Sequence, residues 1–289
     1  MIGMQVNRVY AFFYRATLVA CAAIAVLAAG SAAANAQSAP SFVDPDLRLV
    51  RPPLSGVRAI RFLTTDDYPP MNFALADGSL NGFNVDIARA ICRELDIGCT
   101  IQARAWDTLV DSLASGKGDA VIASIAPSNA VRAEIDFSAP YYKTPARFVA
   151  RRDAAPFATT AAGLKGQTVG VVAGSAHQAY LSLFFPGASP KLFKSPIELE
   201  NALKSNDVAV AFADGLTISL WLNGEESSNC CAFRGGPYLE SRFFGEGVGI
   251  AVRKDDQELR QAFDWALARL MKNGVYSEIY LKYFPIDFY

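Results

Sequence analysis

Histidine is almost missing from this sequence: His177 is the only one among 289 residues, and the five cysteines include no Cys-x-x-Cys pair. A metal site built from several histidines is therefore excluded, and a structural zinc site is not expected. The glycine-rich phosphate loops G-x-G-x-x-G and G-x-x-x-x-G-K-[S/T] and the nucleophile motif G-x-S-x-G are absent too. We expect neither a metal nor a cofactor.

Excess charge of one sign is also lacking, since 27 basic residues face 28 acidic ones and like charges form no run. Binding to nucleic acid through counterion release needs a basic surface, so we expect no nucleic-acid partner. Hydrophobic residues make up 52% of the chain and charged ones 19%, which excludes disorder over most of its length.

The first 36 residues have the pattern of a secretory signal peptide. Arg8 and Arg15 precede the uncharged apolar residues 16–29, a stretch too short to span a bilayer comfortably. Residues 34–36, Ala-Asn-Ala, offer the small residues that signal peptidase needs. We expect cleavage after Ala36, and therefore a periplasmic protein. The alternative is a lipoprotein attached at Cys21 of Leu-Val-Ala-Cys, although Arg15 stands too close for an apolar region of normal length.

The rest of the chain alternates short apolar runs with helical periodicity, after an extended arm over residues 37–57. Helical faces carry Val85, Ala88, Ile91, Cys92 and Leu95, and later Leu259, Ala262, Phe263, Ala266, Leu267 and Leu270. Strands are predicted at 59–63, 100–102, 120–123, 147–150, 168–172, 208–212 and 249–252. This alternation predicts an α/β protein with mainly parallel sheets, and its length favours two lobes.

The cysteines leave two questions open. Cys92 and Cys99 lie seven residues apart and, in an oxidising compartment, can close a small disulfide loop or remain two buried thiols. Cys230 and Cys231 are adjacent, and each can be free or joined in a vicinal disulfide.

Five segments in order carry a family resemblance: residues 68–71 with 81–86, Trp106 with 116–119, 124–132 with 136–142, 169–175, and Asp214. Together they resemble family 3 of the extracytoplasmic solute-binding proteins, the polar amino-acid receptors of bacterial ABC importers, from about Ala59 to Phe284. The resemblance implies a type II periplasmic binding protein fold with two hinge-crossing strands and a cleft between the lobes. One lobe is expected over 58–147 and 248–289, the other over 148–247. The resemblance also implies a Cys92–Cys99 disulfide, a monomer, and an ABC permease as partner.

An amino-acid ligand needs separate partners for its carboxylate and its ammonium group. Arg132 follows a turn in which Ser128 or Asn129 can cap a helix, and its guanidinium suits a carboxylate. Ser175 lies where a strand passes into a helix, a position at which backbone N–H groups bind anions. Asp214 follows a buried strand and can accept the ammonium group.

The resemblance implies further ligand contacts. Ser124 and Ser175 supply polar contacts, whereas Tyr68 and Trp106 form walls for the ligand side chain. The sequence departs from the family pattern at Ala126 and Ala176, where hydroxyl side chains are usual, and His177 is a further candidate contact. Each of these residues also has an ordinary structural interpretation, as a solvated charge, a turn residue or a core aromatic.

Three functions remain after these arguments. The leading hypothesis is a periplasmic receptor, not an enzyme, that delivers an amino-acid-like solute to an importer. The second is an accessory or sensory receptor without a permease. The third is an enzyme resembling the periplasmic cyclohexadienyl dehydratases, which would need a carboxylic acid in the cleft as proton donor.

Overall fold

The computed structural model describes residues 49–54 and 56–284, and these form a two-lobed α/β protein with one mixed five-stranded sheet in each lobe. The predicted signal peptide, the alternative lipid site at Cys21 and the first part of the arm lie outside the described residues. No helix in the described part is long and apolar enough to cross a membrane.

The first lobe is built on a sheet with the strand order β5-β1-β6-β13-β7, accompanied by a small antiparallel sheet, β2-β3-β4. The strands are β1 (Ala59–Thr64), β2 (Asp67–Tyr68), β3 (Asn72–Ala74), β4 (Leu80–Asn81), β5 (Gly98–Ala103), β6 (Ala120–Val121), β7 (Ile135–Phe137) and β13 (Ala251–Arg253). Their helices are α1 (Phe83–Leu95), α2 (Leu109–Ala114), α3 (Asn129–Glu134), α8 (Gln257–Lys272) and α9 (Val275–Tyr283).

Amphipathic faces hold this lobe together. Both helical faces predicted from the sequence are buried, the one on α1 and the one on α8. The helices α1, α8 and α9 pack on one another around Phe83, whose ring contacts Tyr141, Tyr276 and Phe284. Burying such side chains provides about 1.5–3 kcal/mol each, so this packing is a main source of the stability of the lobe.

The second lobe has the strand order β10-β9-β11-β8-β12. Its strands are β8 (Ala146–Arg151), β9 (Thr168–Val172), β10 (Ser189–Phe193), β11 (Val210–Asp214) and β12 (Cys231–Tyr238), and its helices are α4 (Ala176–Phe184), α5 (Pro196–Lys204), α6 (Gly215–Asn223) and α7 (Ser241–Phe244). The start of α5 is a capping box: the Glu198 N–H donates to Ser195 Oγ, and Glu198 Oε2 accepts from the Lys194 N–H.

The expectation of mainly parallel sheets is wrong, because both sheets are mixed. Parallel pairs join β5, β1 and β6 in the first lobe and β10, β9 and β11 in the second. By contrast, β8 and β13 run antiparallel to their neighbours. Each of these two strands enters its sheet straight from the other lobe, without the helical crossover that a parallel connection requires.

The chain passes between the lobes twice, between Phe137 and Ala146 and between Tyr238 and Ala251. The two passages are hydrogen-bonded to each other, because the Tyr141 N–H donates to the Val248 carbonyl and the Val248 N–H to the Tyr142 carbonyl, both at 2.9 Å. The lobe boundaries expected at 147/148 and 247/248 stay a prediction.

The structure contains two disulfides in its described part. Cys92, near the end of α1, is bonded to Cys99 in β5, with Cα atoms 6.0 Å apart, which confirms the predicted loop. Cys230 and Cys231 form a vicinal disulfide at the start of β12, so of the two possibilities left open the structure contains the bonded one.

Candidate functional site

The second lobe contains a cavity of about 150 Å³ where β9 and β11 end and three helices begin. Its lining is mostly apolar with a few polar side chains, namely Val172, Ser175, His177, Pro196, Leu199, Glu200, Phe212, Ala213, Asp214, Thr217 and Ile218. Three of the residues predicted from the sequence, Ser175, His177 and Asp214, therefore lie around one space.

The N-terminus of α4 forms one wall of this cavity. Ser175 caps the helix, because its Oγ accepts the Gln178 N–H at 3.1 Å. The Gly174 N–H donates to Gln178 Oε1 at 2.7 Å, and Gly174 has a φ of +70°, a conformation that favours glycine. The N–H groups of Ala176 and His177 follow in the first helical turn, where a helix has no internal acceptors for its donors. An anion at this point would meet those donors and the positive end of the helix dipole.

Asp214 stands at the junction of β11 and α6. Its Oδ1 accepts the Thr217 N–H at 2.8 Å and so caps α6. The next residue, Gly215, donates its N–H to the Pro145 carbonyl at 2.7 Å, and a Cβ there would lie only 2.8 Å from that oxygen. This close contact fixes the Asp214 carboxylate beside the first passage between the lobes.

The Asp214 charge reaches the first lobe. Burial raises the pKa of both Tyr68 and Tyr142, and the negative charge of Asp214 adds to the rise in each. Tyr68 lies in the first lobe and Tyr142 in the passage between the lobes, so Asp214 faces both of these phenols. A carboxylate in this position can accept an ammonium group that enters the cleft.

His177 is a half-buried ring on α4. Its centroid lies 5.9 Å from that of Phe212 and 5.2 Å from that of Phe244. Burial lowers the pKa of His177 and outweighs the attraction of Asp214, so the imidazole is neutral near pH 7. The ring can therefore donate or accept a hydrogen bond, but it adds no positive charge to the cavity.

The first lobe has a shallower hollow that contains the other predicted contacts. It is lined by Thr65, Asp67, Tyr68, Trp106, Ala123 and Ser124. The side chains of Tyr68 and Trp106 are 48% and 57% exposed, which is high for aromatic residues. Such exposed aromatic surface is suited to contact with a ligand side chain.

Ser124 is held in a strained conformation above a buried polar network. Its φ is +65°, in the left-handed region that residues other than glycine rarely adopt. The Asn84 side chain donates from Nδ2 to Ser124 Oγ at 3.0 Å and to Asn72 Oδ1 at 2.7 Å, and it accepts from the Tyr141 hydroxyl at 2.6 Å. The network fixes the Ser124 hydroxyl at the cleft surface, as a preorganised contact requires.

Arg132 is placed differently from the other candidates. It lies on α3 with its side chain 40% exposed, and its Nη2 pairs with Glu246 Oε2 at 2.8 Å. The guanidinium also lies 5.6 Å from the centroid of the Phe137 ring. Arg132 lines neither of the two hollows in this structure.

Sequence reasoning missed several residues of the site region. Asn84 sits between Phe83 and Val85 on α1, and a polar residue on a buried helical face was the available signal. Tyr142 was visible only as the end of a motif. Nothing in the sequence placed Glu200 in the same cavity as Asp214 or paired Glu246 with Arg132, since both arrangements arise only through the tertiary fold.

Comparison with known proteins identifies the family of this chain. Residues 60–286 match the bacterial extracellular solute-binding proteins, family 3, and the chain belongs to this family. It is 33% identical over 240 residues to an L-arginine-binding protein of Pseudomonas aeruginosa, which covers 82% of this chain and 92% of the relative. It is 30% identical over 232 residues to the lysine/arginine/ornithine-binding periplasmic protein of Escherichia coli, with 80% and 89% covered.

The fold is that of the type II periplasmic binding proteins. The L-cystine solute receptor of Neisseria gonorrhoeae superposes with a TM-score of 0.68 at 20% identity, over 80% of this chain and 94% of the receptor. The protein is thus a solute-binding protein by family, and the two relatives are named as binding proteins rather than as enzymes.

Proposed function

We propose that the protein binds an amino acid in the cleft between its lobes and delivers it to an ABC importer. The observation that carries the proposal is that the Asp214 carboxylate and the N-terminus of α4 line one cavity. An ammonium group and a carboxylate on the same carbon need this combination of an anionic acceptor and free backbone donors. The names of the two relatives support an amino-acid ligand.

Each predicted residue has a role in this proposal. Asp214 accepts the ligand's ammonium group, while Ser175 positions the N–H groups that bind its carboxylate. Tyr68 and Trp106 contact the side chain, Ser124 adds a hydroxyl, and His177 adds a neutral ring.

Arg132 binds the ligand carboxylate in this proposal, and to do so it must leave Glu246. The exchange replaces one carboxylate partner of the guanidinium by another. An exposed ion pair such as the existing one is worth at most about 1 kcal/mol, so the exchange costs little.

The cellular setting belongs to the same proposal. The predicted signal peptide directs the chain to the periplasm, where a monomer with bound ligand docks on an ABC permease. An accessory receptor without a permease would use the same cleft, and genes for a permease and an ATPase beside this one would support the transport role.

A thermal-shift screen tests the binding function. The purified protein is stripped of bound ligand by unfolding and refolding and is then screened with amino acids, polyamines and small organic acids. A ligand at 100 times its Kd stabilises by about 2.7 kcal/mol, which for this size raises Tm by roughly 5–10 °C. A response to a few amino acids supports the proposal. No response in a folded sample contradicts it, and an assay of prephenate and arogenate turnover then tests the dehydratase alternative.

A further inference from the structure

We propose that the cavity in the second lobe is a side-chain pocket in which Glu200 pairs with a cationic group at the end of the ligand's side chain. The inference rests on the proposed amino-acid-binding function and adds to it a subsite and a ligand class. The ligand would carry one ammonium group for Asp214 and a second positive group, an ammonium or a guanidinium, for Glu200.

Glu200 is a buried acid to which the described part of the chain supplies no partner. It lies in the middle of α5, is only 8% exposed, and lines the same cavity as Asp214 and Ser175. Across residues 49–54 and 56–284, its carboxyl makes no hydrogen bond and no ion pair. Buried carboxyl groups are normally paired or hydrogen-bonded, so this one lacks a partner that a ligand can supply.

The charges around the cavity favour a cation over an anion at this end. Among the described residues that line the cavity there is no lysine or arginine, and His177 is neutral near pH 7. Burial, with added repulsion from Glu226, raises the pKa of Glu200 to about 7. A positive group in the cavity would attract the charged form of the carboxyl and so counteract both effects.

The walls of the cavity match the rest of such a side chain. Besides Asp214 and Glu200, the lining includes the apolar residues Val172, Pro196, Leu199, Phe212 and Ile218. An aliphatic chain of methylene groups can pack on these side chains while its charged end meets the carboxyl, as the stems of lysine and arginine do elsewhere.

The test compares two ligands that differ in one charged group. L-lysine and its neutral analogue L-norleucine are titrated calorimetrically into wild-type protein, Glu200→Gln and the control Glu226→Gln, at about pH 8, where Glu200 is ionised. Glutamine keeps the shape of the side chain and removes its charge. L-arginine is measured as a second cationic ligand.

We expect Glu200→Gln to weaken binding of lysine or arginine about 10- to 100-fold and to change norleucine binding by less than about 2-fold. The control Glu226→Gln should bind all of these ligands like wild type. Unchanged binding of the cationic ligands in Glu200→Gln overturns the inference, as does an equal loss for norleucine, which would indicate disturbed packing. If wild-type protein binds no amino acid, the proposed function fails first. If it binds them through Asp214 but without Glu200, only this inference fails.

Discussion

At the scale of single residues, the site depends on side chains that have two tasks. Asp214 caps α6 with one carboxylate oxygen, so that the cap fixes the orientation of the other. Ser175 caps α4 and donates its hydroxyl to the Val172 carbonyl at 2.6 Å. Because hydrogen bonds within the protein already hold these groups, little conformational entropy remains to be lost when a ligand binds.

Glu200 should make folding stability depend on pH. Its pKa is raised from 4.5 to about 7, so the folded protein holds this proton more tightly than the unfolded chain does. The stabilisation is complete below about pH 4.5 and is lost as pH rises through about 7. Glu200→Gln should therefore exceed wild type in stability by about 1–3 kcal/mol at about pH 8 and match it at about pH 4.5. Urea unfolding at the two pH values measures this, and an equal difference at both would contradict it.

Arg132 and Glu246 should have opposite effects on affinity. Arg132→Ala removes the proposed carboxylate partner and should cost about 2 kcal/mol or more of binding, because lobe closure would desolvate the pair. Glu246→Gln frees the guanidinium and should strengthen binding by up to about fivefold, the value of an exposed ion pair. Calorimetric Kd values of both variants test the assignment. A Kd of Arg132→Ala within twofold of wild type would show that Arg132 does not bind the ligand.

At the scale of secondary-structure elements, the disulfide near the end of α1 should contribute measurably to stability. Cys92–Cys99 joins two cysteines with a sequence separation of 7, and chain entropy predicts about 2–3 kcal/mol for so small a loop. We expect the double variant Cys92→Ala, Cys99→Ala to unfold at a lower urea concentration by that amount. A reductant would break the Cys230–Cys231 disulfide as well as Cys92–Cys99. The double variant and wild type are therefore compared without reductant. Equal midpoints would refute the contribution.

The elements that could be predicted from the sequence are those with a strong periodic pattern. The faces of α1 and α8 and strand β9 are found where periodicity placed them. Strand β10 was missed because it has no buried residue, and β12 because it contains Gly235, Gly236 and Pro237. Such edge strands owe their structure to a neighbouring strand rather than to their own composition.

The residues of the site also divide into those that could be predicted from the sequence and those that could not. Ser175 and Asp214 could be placed because strand ends in α/β folds gather at one edge of a sheet. The pairing of Arg132 with Glu246 spans 114 residues, and the burial of Glu200 depends on the packing of α5 against β9 and β11. Neither leaves a local signal in the sequence.

At the scale of the whole molecule, binding should bring the two lobes together over the ligand. Trp106 lies in the hollow of the first lobe and is 57% exposed, whereas Trp221 is buried. Closure should remove water from Trp106 and shift the tryptophan emission to shorter wavelength when a ligand is added. Trp106→Phe should lose this shift. If the variant keeps it, another tryptophan reports the change and closure over Trp106 is not supported.

The central claim, that Asp214 accepts the ammonium group of an amino acid, is tested most directly by calorimetry on Asp214→Asn. Asparagine is as good a helix cap as aspartate, so folding should be preserved while the charge is removed. We predict that the best amino-acid ligand binds the variant at least about 30-fold more weakly, the lower range for a buried charge pair. The analogue that lacks the ammonium group should bind wild type and variant alike. Equal affinity of the amino acid for both proteins would contradict the account.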